Sequence, residues 1–146
     1  MTGRTPAFEP FDALLGTWDI EATHPAVDAV AIGTVTFEWL HRDDFLLVRS
    51  STDHAAFPDS LWVIGATEAA DGLVMEYFDV RGVRRTYDVA LDDGVLRSWR
   101  DAPGFDQRFS ATLGSDSFAG VWQLARQRDA WVDDLEVVYR RRTGTA

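Results

Sequence analysis

The feature that most constrains this chain is a series of short stretches in which apolar and polar side chains alternate. From Thr17 onward about ten such stretches, rich in β-branched and aromatic residues, are separated by turns at the spacing typical of sandwiches and barrels. Four glycine-containing pairs favour tight hairpins: Asp71-Gly72, Arg81-Gly82, Asp93-Gly94 and Gly114-Ser115. Consecutive hairpins predict an antiparallel up-and-down meander, and closing it into a barrel removes the exposed strand edges.

Helical periodicity is confined to the N-terminal region. The stretch from Pro10 to Leu15 predicts a helix of roughly one or two turns, because proline suits a first turn and Gly16 can end the helix. With 146 residues, of which 46% are hydrophobic, the chain fits one domain with disordered tails at residues 1–7 and 143–146. The predicted fold is therefore all-β: a single antiparallel barrel of about ten strands, with a short N-terminal helix plugging one end.

Charge and composition exclude several classes of partner and chemistry. A net charge of −10 repels phosphate backbones and anionic lipids, so neither nucleic acid nor a membrane is an expected partner. The absence of cysteine excludes disulfides and thiol catalysis, and no G-x-S-x-G or phosphate-binding motif is present. Without an apolar run of signal-peptide or membrane-spanning length, the sequence predicts a soluble cytoplasmic protein. It leaves open whether the protein forms a homodimer.

Four polar residues fall on the apolar side of their predicted strands: His24, Arg85, Gln107 and Asp133. Because an isolated buried charge costs several kcal/mol, Arg85 and Asp133 should either pair with each other or face a wet cavity. In the first interpretation Gln107 assists an internal salt bridge. In the second, the planar guanidinium of Arg85 receives a carboxylate or carbonyl group of a ligand.

Aromatic residues support the cavity interpretation. Six tryptophans, nine phenylalanines and three tyrosines are many for a chain of this length, and ligand pockets are typically aromatic with a few placed polar groups. The sequence thus predicts binding of a small hydrophobic or aromatic molecule that bears a polar group. The predicted ligand-binding residues are Trp39, Tyr77, Arg85, Tyr87, Trp99, Gln107, Phe109, Trp122 and Trp131.

An enzyme on the same frame is the alternative function. A cofactor-independent isomerase, cyclase or lyase needs a pocket acid or base, for which His24, His54 and Asp133 are the candidates. The remaining histidine is His41, and no histidine spacing matches a zinc motif, so no metal site is predicted.

The segment "LLGTW" ahead of the first strand resembles the start of the calycin barrels, which include lipocalins, fatty-acid-binding proteins and nitrobindin-like bacterial proteins. The stretches "YFDVRGV" and "SWRDAPGF" resemble actinobacterial proteins of the DUF1579 type. The calycin resemblance implies a signature in which Gly16 precedes a floor tryptophan, Trp18, whose indole is covered by a basic residue of the last strand. Arg140 and Arg142 are the matching candidates, and we predict that Arg140 covers the indole.

Two departures limit this resemblance. Only "PAVDAVA" separates the first two strands, which is too short for the helical lid of fatty-acid-binding proteins. The carboxylate-binding Arg-x-Tyr of those proteins is also absent, because Tyr139 precedes the arginines of the last strand. Nitrobindin-like proteins ligate haem through a histidine in the C-terminal part of the barrel, but this chain has none after His54. No cofactor is therefore predicted; haem is a second alternative that would require His24, His54 or Tyr77 as an unusual ligand.

Overall fold

The computed structural model describes residues 6–40, 42–68 and 72–143. One 3₁₀ helix precedes ten strands. Their bounds are η1 (Pro6–Leu14), β1 (Gly16–His24), β2 (Val27–Leu40), β3 (Phe45–Thr52), β4 (Ser60–Ala66), β5 (Leu73–Asp79), β6 (Arg84–Asp92), β7 (Val95–Arg100), β8 (Asp106–Thr112), β9 (Ser117–Ala125) and β10 (Val132–Arg141).

The strands form the closed antiparallel barrel that the sequence predicts. Each strand pairs with the next along the chain, and β10 pairs with β1 to complete the wall. At the β6–β7 hairpin, Asp93 and Gly94 have φ values of 51° and 74°, as a two-residue turn of type I′ requires. Asp71, in another predicted turn, and His41 lie outside the described residues.

The N-terminal helix is longer than the sequence predicts. It begins at Pro6 rather than Pro10, so Pro6 and Ala7 belong to η1 and not to a tail. The helix is of the 3₁₀ type throughout, and Pro10 lies inside it. Of the other predicted tail residues, Thr143 is exposed and lies outside the strands, and residues 1–5 and 144–146 are outside the described residues.

Aromatic side chains of η1 close one end of the barrel, here called the floor. Phe8, Phe11 and Leu14 are almost completely buried. The Phe8 ring meets those of Phe11 and Trp39 edge-on, with centroids 5.7 and 5.0 Å away. Burial of the Phe8 ring in the core stabilises the helix ahead of Pro10.

Trp18 ties the first strand to the helix and to the last strand. Its indole is buried, and its Nε1 donates a 2.8 Å hydrogen bond to the carbonyl of Leu14. The guanidinium carbon of Arg141 lies 4.2 Å from the ring centroid, a cation–π contact. The same guanidinium donates to the carbonyls of Leu15 and Ala13, at 2.9 and 2.6 Å, and so caps the end of η1.

The basic residue over Trp18 is therefore Arg141, which corrects the expectation of Arg140. Alternation in β10 places Arg141 on the inner side of the wall together with Val137 and Tyr139. Arg140 and Arg142 point outward and pair with acidic side chains of β1.

Candidate ligand cavity

A cavity of about 380 Å³ occupies the end of the barrel opposite η1. This lies within the range of volumes typical of small-molecule sites. Its opening, here called the mouth, is bordered by the β1–β2 turn, by residues 53–59 between β3 and β4, and by Arg81 in the β5–β6 turn. The inward-facing side chains of the surrounding strands form its walls.

Aromatic rings form much of the wall, with Trp122 of β9 at their centre. Its ring centroid lies 5.5 Å from that of Tyr87 and 6.2 Å from that of Trp62, both at steep angles. Below it, Phe109 packs at 5.0 Å. Tyr77 and Tyr87 contact each other edge-on at 6.3 Å. The rings are therefore held in place by contacts with one another.

A polar network on β6 and β8 interrupts the apolar wall. Alternation places Tyr87 and Gln107 inside, and the Tyr87 hydroxyl donates a 3.0 Å hydrogen bond to the Gln107 Oε1. Arg100 donates to the same oxygen at 3.4 Å and to the Phe105 carbonyl at 3.2 Å. Burial raises the pKa of the Tyr87 phenol, while Arg85 and Arg100 oppose this rise.

Arg85 lines the cavity beside this network. Its guanidinium carbon lies 5.2 Å from the Phe105 ring centroid. Across residues 6–40, 42–68 and 72–143, Arg85 forms no ion pair with a carboxylate, and the salt bridge to Asp133 is not formed. The internal salt bridge, one of the two interpretations that the sequence leaves open, is therefore wrong, and a ligand-binding role of Arg85 stays a prediction.

Asp133 points away from the cavity, which corrects the assignment made from alternation. The pairing of β10 with β9 shifts register between Asp133 and Leu135, so strict alternation breaks there. As a result Asp134 and Leu135 both line the cavity. Asp133 is exposed and accepts a 2.8 Å hydrogen bond from the Nε2 of Gln123 on the outer face.

His24 and Asp134 form a polar pair at the mouth. The His24 Nε2 lies 2.8 Å from one Asp134 oxygen, and both side chains are about one-third exposed. The backbone N–H of Ala26 donates to the His24 Nδ1 at 3.0 Å. With Nδ1 accepting, Nε2 carries the proton of the neutral ring and donates it to Asp134. Both ring nitrogens of His24 are therefore engaged.

A second polar cluster on β5 and its turn completes the mouth. The Tyr77 hydroxyl donates to the Asp79 Oδ2 at 2.7 Å, and the Arg81 guanidinium binds the same carboxylate at 2.6 Å. The Asp79 side chain is fully covered. Hydrogen bonds from Arg81 hold the pKa of Asp79 well below its usual range, although burial opposes this. Burial, together with Asp79, raises the pKa of Tyr77.

His54 lies beside the mouth and is absent from the cavity lining of the described residues. Its Nδ1 accepts a hydrogen bond from the Ala56 backbone N–H at 3.0 Å, and its ring packs edge-on against Phe57. The nearby Asp53 and Asp59 accept hydrogen bonds from backbone amides of β2 and β3. These contacts hold the β3–β4 segment in place.

The structure brings together five of the predicted ligand-binding residues. Those that line the cavity are Tyr77, Arg85, Tyr87, Gln107 and Trp122. Phe109 lies below it and Trp39 packs at the floor. Trp99 and Trp131 lie on the outer face.

The two outer tryptophans have specific physical reasons for their positions. Trp99 is 38% exposed because Leu96 and Ser98 take the inner parity of β7. Trp131 precedes the register shift, and the guanidinium of Arg108 covers its ring at 3.9 Å. Neither ring is among the described residues that line the cavity.

Among the cavity residues that sequence reasoning missed are Trp62, Arg81 and Asp134. The stretch around Trp62 is apolar on both faces, which gives alternation nothing to orient. Arg81 belongs to a turn, where strand parity does not apply. Asp134 could not be separated from Asp133 without the register shift.

Fold and cavity together define a small closed antiparallel β-barrel with one open end. The crystal structure of Rv2717c from M. tuberculosis is similar to this chain, with a TM-score of 0.70 and 15% sequence identity over 97% of this chain and 100% of that chain. This likeness supports the barrel fold alone. No protein-family model matches the chain, and no curated protein matches it.

The described residues do not fit haem, the cofactor that a nitrobindin resemblance would imply. All three histidines precede residue 55 in the sequence. Both nitrogens of His24 are engaged, His54 is not among the lining residues described above, and the Tyr77 hydroxyl donates to Asp79. His41 lies outside the described residues.

Within the described ranges no helix is long and apolar enough to cross a membrane, and no cluster of three metal-binding side chains occurs.

Proposed function

We propose that the protein binds a flat apolar molecule in the barrel cavity, and that Arg85 receives an acidic group of that molecule. The observation that carries this proposal is Arg85 itself: it faces an aromatic-walled cavity of about 380 Å³ and, within the described residues, has no ion-pair partner. This occurs in a chain of net charge −10, where a cation would easily find a carboxylate. A planar guanidinium is suited to bidentate recognition of a carboxylate.

The expected affinity is modest. Burying about 200 Å² of apolar ligand surface contributes roughly 5 kcal/mol, and a hydrogen bond to a charged group adds about 1.5–3 kcal/mol. Association costs of about 4 kcal/mol or more reduce this sum, so a simple aromatic acid should bind with a dissociation constant of about 1 mM at the tightest.

Proton-transfer catalysis, the alternative function, has less support. A general base needs a free lone pair directed at the ligand. In this structure the Ala26 amide occupies the lone pair of His24, and His54 is outside the described lining. Asp133, the third candidate, lies on the outer face. None of the three acid–base residues predicted from the sequence therefore presents a free lone pair to the cavity, and binding is the function with more support.

Isothermal titration calorimetry with 2-naphthoate and its uncharged isostere 2-naphthamide tests the proposal. The acid should bind the wild-type protein, and the amide should bind at least tenfold more weakly, because only the acid pairs with Arg85. Arg85→Met should remove this preference. Arg84→Met is the matched control, since Arg84 lies on the outer face of the same strand and contacts Glu76.

Two results would contradict the proposal. One is equal binding of 2-naphthoate by the wild-type protein and Arg85→Met. The other is an equal loss of binding in Arg85→Met and Arg84→Met, which would show that net charge rather than the cavity guanidinium attracts the acid.

A further inference from the structure

We infer that the ligand carries a hydrogen-bond donor at the end opposite its acidic group, and that Asp134 accepts it. The ligand class is thus an aromatic acid with a distal hydroxyl or amino group. This inference rests on the proposed function and extends it to the other side of the mouth.

The first argument is the state of the Asp134 carboxylate. One oxygen accepts the proton of His24 at 2.8 Å, and the Ala26 amide fixes the ring that donates it. The second oxygen forms no hydrogen bond or ion pair anywhere in the described part of the chain. Asp134 lines the cavity and is 30% exposed, so this oxygen is an oriented acceptor available to a ligand.

The second argument is the separation of charges around the cavity. Arg85 lies on β6 and Asp134 on β10, with β7, β8 and β9 between them along the wall. Both charges act on the buried phenol of Tyr87: Arg85 lowers its pKa and Asp134 raises it. Nevertheless Arg85 and Asp134 do not pair, so the two poles remain apart on either side of one cavity.

The third argument concerns the other charges at the mouth. Arg81 also lines the cavity, but Asp79 neutralises it through a two-point contact. Among the charged side chains that line the cavity, Arg85 is therefore the unpaired cation and Asp134 the carboxylate with a spare acceptor. The Trp122 ring lies on the wall between them and suits a flat ligand body.

The test compares 6-hydroxy-2-naphthoate with 6-methoxy-2-naphthoate by calorimetry. Both have the acid and the flat body, but only the hydroxyl can donate to Asp134. The hydroxy compound should bind the wild-type protein about tenfold more tightly. In Asp134→Asn this ratio should fall to about one, because the amide keeps its oxygen for His24 and turns its NH₂ toward the ligand.

Asp133→Asn is the matched control and should keep the tenfold ratio, since Asp133 lies on the outer face. His24→Gln provides a second variant. It leaves the carboxylate in place but removes the ring that orients it, so the ratio should fall part of the way while binding of 2-naphthoate persists.

The outcomes separate this inference from the proposed function. Equal binding of the two compounds by the wild-type protein, with 2-naphthoate still dependent on Arg85, would overturn the inference and leave the proposed function standing. A tenfold ratio that persists in Asp134→Asn would also overturn it, because a steric effect of the methyl group would then explain the preference. If no naphthoate binds, both fall together.

Discussion

Asp79 shows how one covered carboxylate organises the mouth at the scale of single residues. It accepts hydrogen bonds from Tyr77, from the Arg81 guanidinium and from the Arg81 backbone amide. These bonds favour the charged form and hold its pKa well below the ordinary range. The carboxylate therefore stabilises the fold only while it is ionised.

We predict that Asp79→Asn lowers the free energy of unfolding by about 1–3 kcal/mol at pH 7, as expected for lost charge-assisted hydrogen bonds. A lowered folded-state pKa gives stability above the unfolded value, near 3.9, and this stability is lost as the pH falls below it. The cost of the substitution should thus shrink by about 1 kcal/mol at pH 3. Urea unfolding at both pH values measures it.

The exposed Asp88→Asn removes one carboxylate from the surface and serves as the control for the change in net charge. A cost of Asp79→Asn that stays constant or grows on acidification would show that Asp79 is not held in its charged form.

At the scale of elements, β10 both closes the barrel and seals the floor. Its inner residue Arg141 stacks on Trp18 and donates to three backbone carbonyls, two of them at the end of η1. Its outer neighbour Arg140 makes one exposed pair with Glu21. The two arginines are adjacent in sequence and chemically identical, but only one is integrated into the floor.

We predict that Arg141→Met lowers the free energy of unfolding by about 2–3 kcal/mol, because the carbonyls of η1 lose their donors and Trp18 loses its cation. Arg140→Met should cost less than about 1 kcal/mol, as is typical of a surface ion pair. Equilibrium urea unfolding of the two variants decides the matter; similar costs would mean that the cap over Trp18 does not stabilise the floor.

Element geometry also explains how much of the site could be predicted from sequence. Alternation orients β6 and β8 and so identifies Arg85, Tyr87 and Gln107 as inward-facing. It fails in β10, where one irregularity in pairing reverses the parity of Asp133 and Asp134. A single register shift is set by contacts with the neighbouring strand, and the local sequence does not record it.

At the scale of the whole molecule, the barrel was predictable because consecutive hairpins give an up-and-down meander, and closing that meander removes its exposed strand edges. The cavity was less predictable, because its mouth includes turns such as the one that holds Arg81, where strand alternation does not apply. The number of tryptophans also does not show which of them face inward. Trp62 and Trp122 line the cavity, whereas Trp99 lies on the outer face. Packing against neighbours decides this.

We predict that a larger side chain at Ala22 obstructs the cavity. Ala22 is buried and lines the cavity, so Ala22→Leu should weaken 2-naphthoate binding at least tenfold. It should also lower the free energy of unfolding by about 1–3 kcal/mol, because Ala22 is part of the packed core. Ala119→Leu, on the outer face, should leave binding unchanged.

Calorimetry and urea unfolding of the same samples test this. Unchanged affinity in Ala22→Leu would place the bound naphthoate elsewhere on the protein.

The aromatic plug of η1 has a kinetic consequence for any bound molecule. Phe8, Phe11 and Leu14 block passage through that end, so arrival and departure share a single route. A ligand must therefore leave through the same mouth by which it entered, and the group that enters last is the first to leave. Residence time should then depend on the rim around Phe57 and Arg81 rather than on the depth of the barrel.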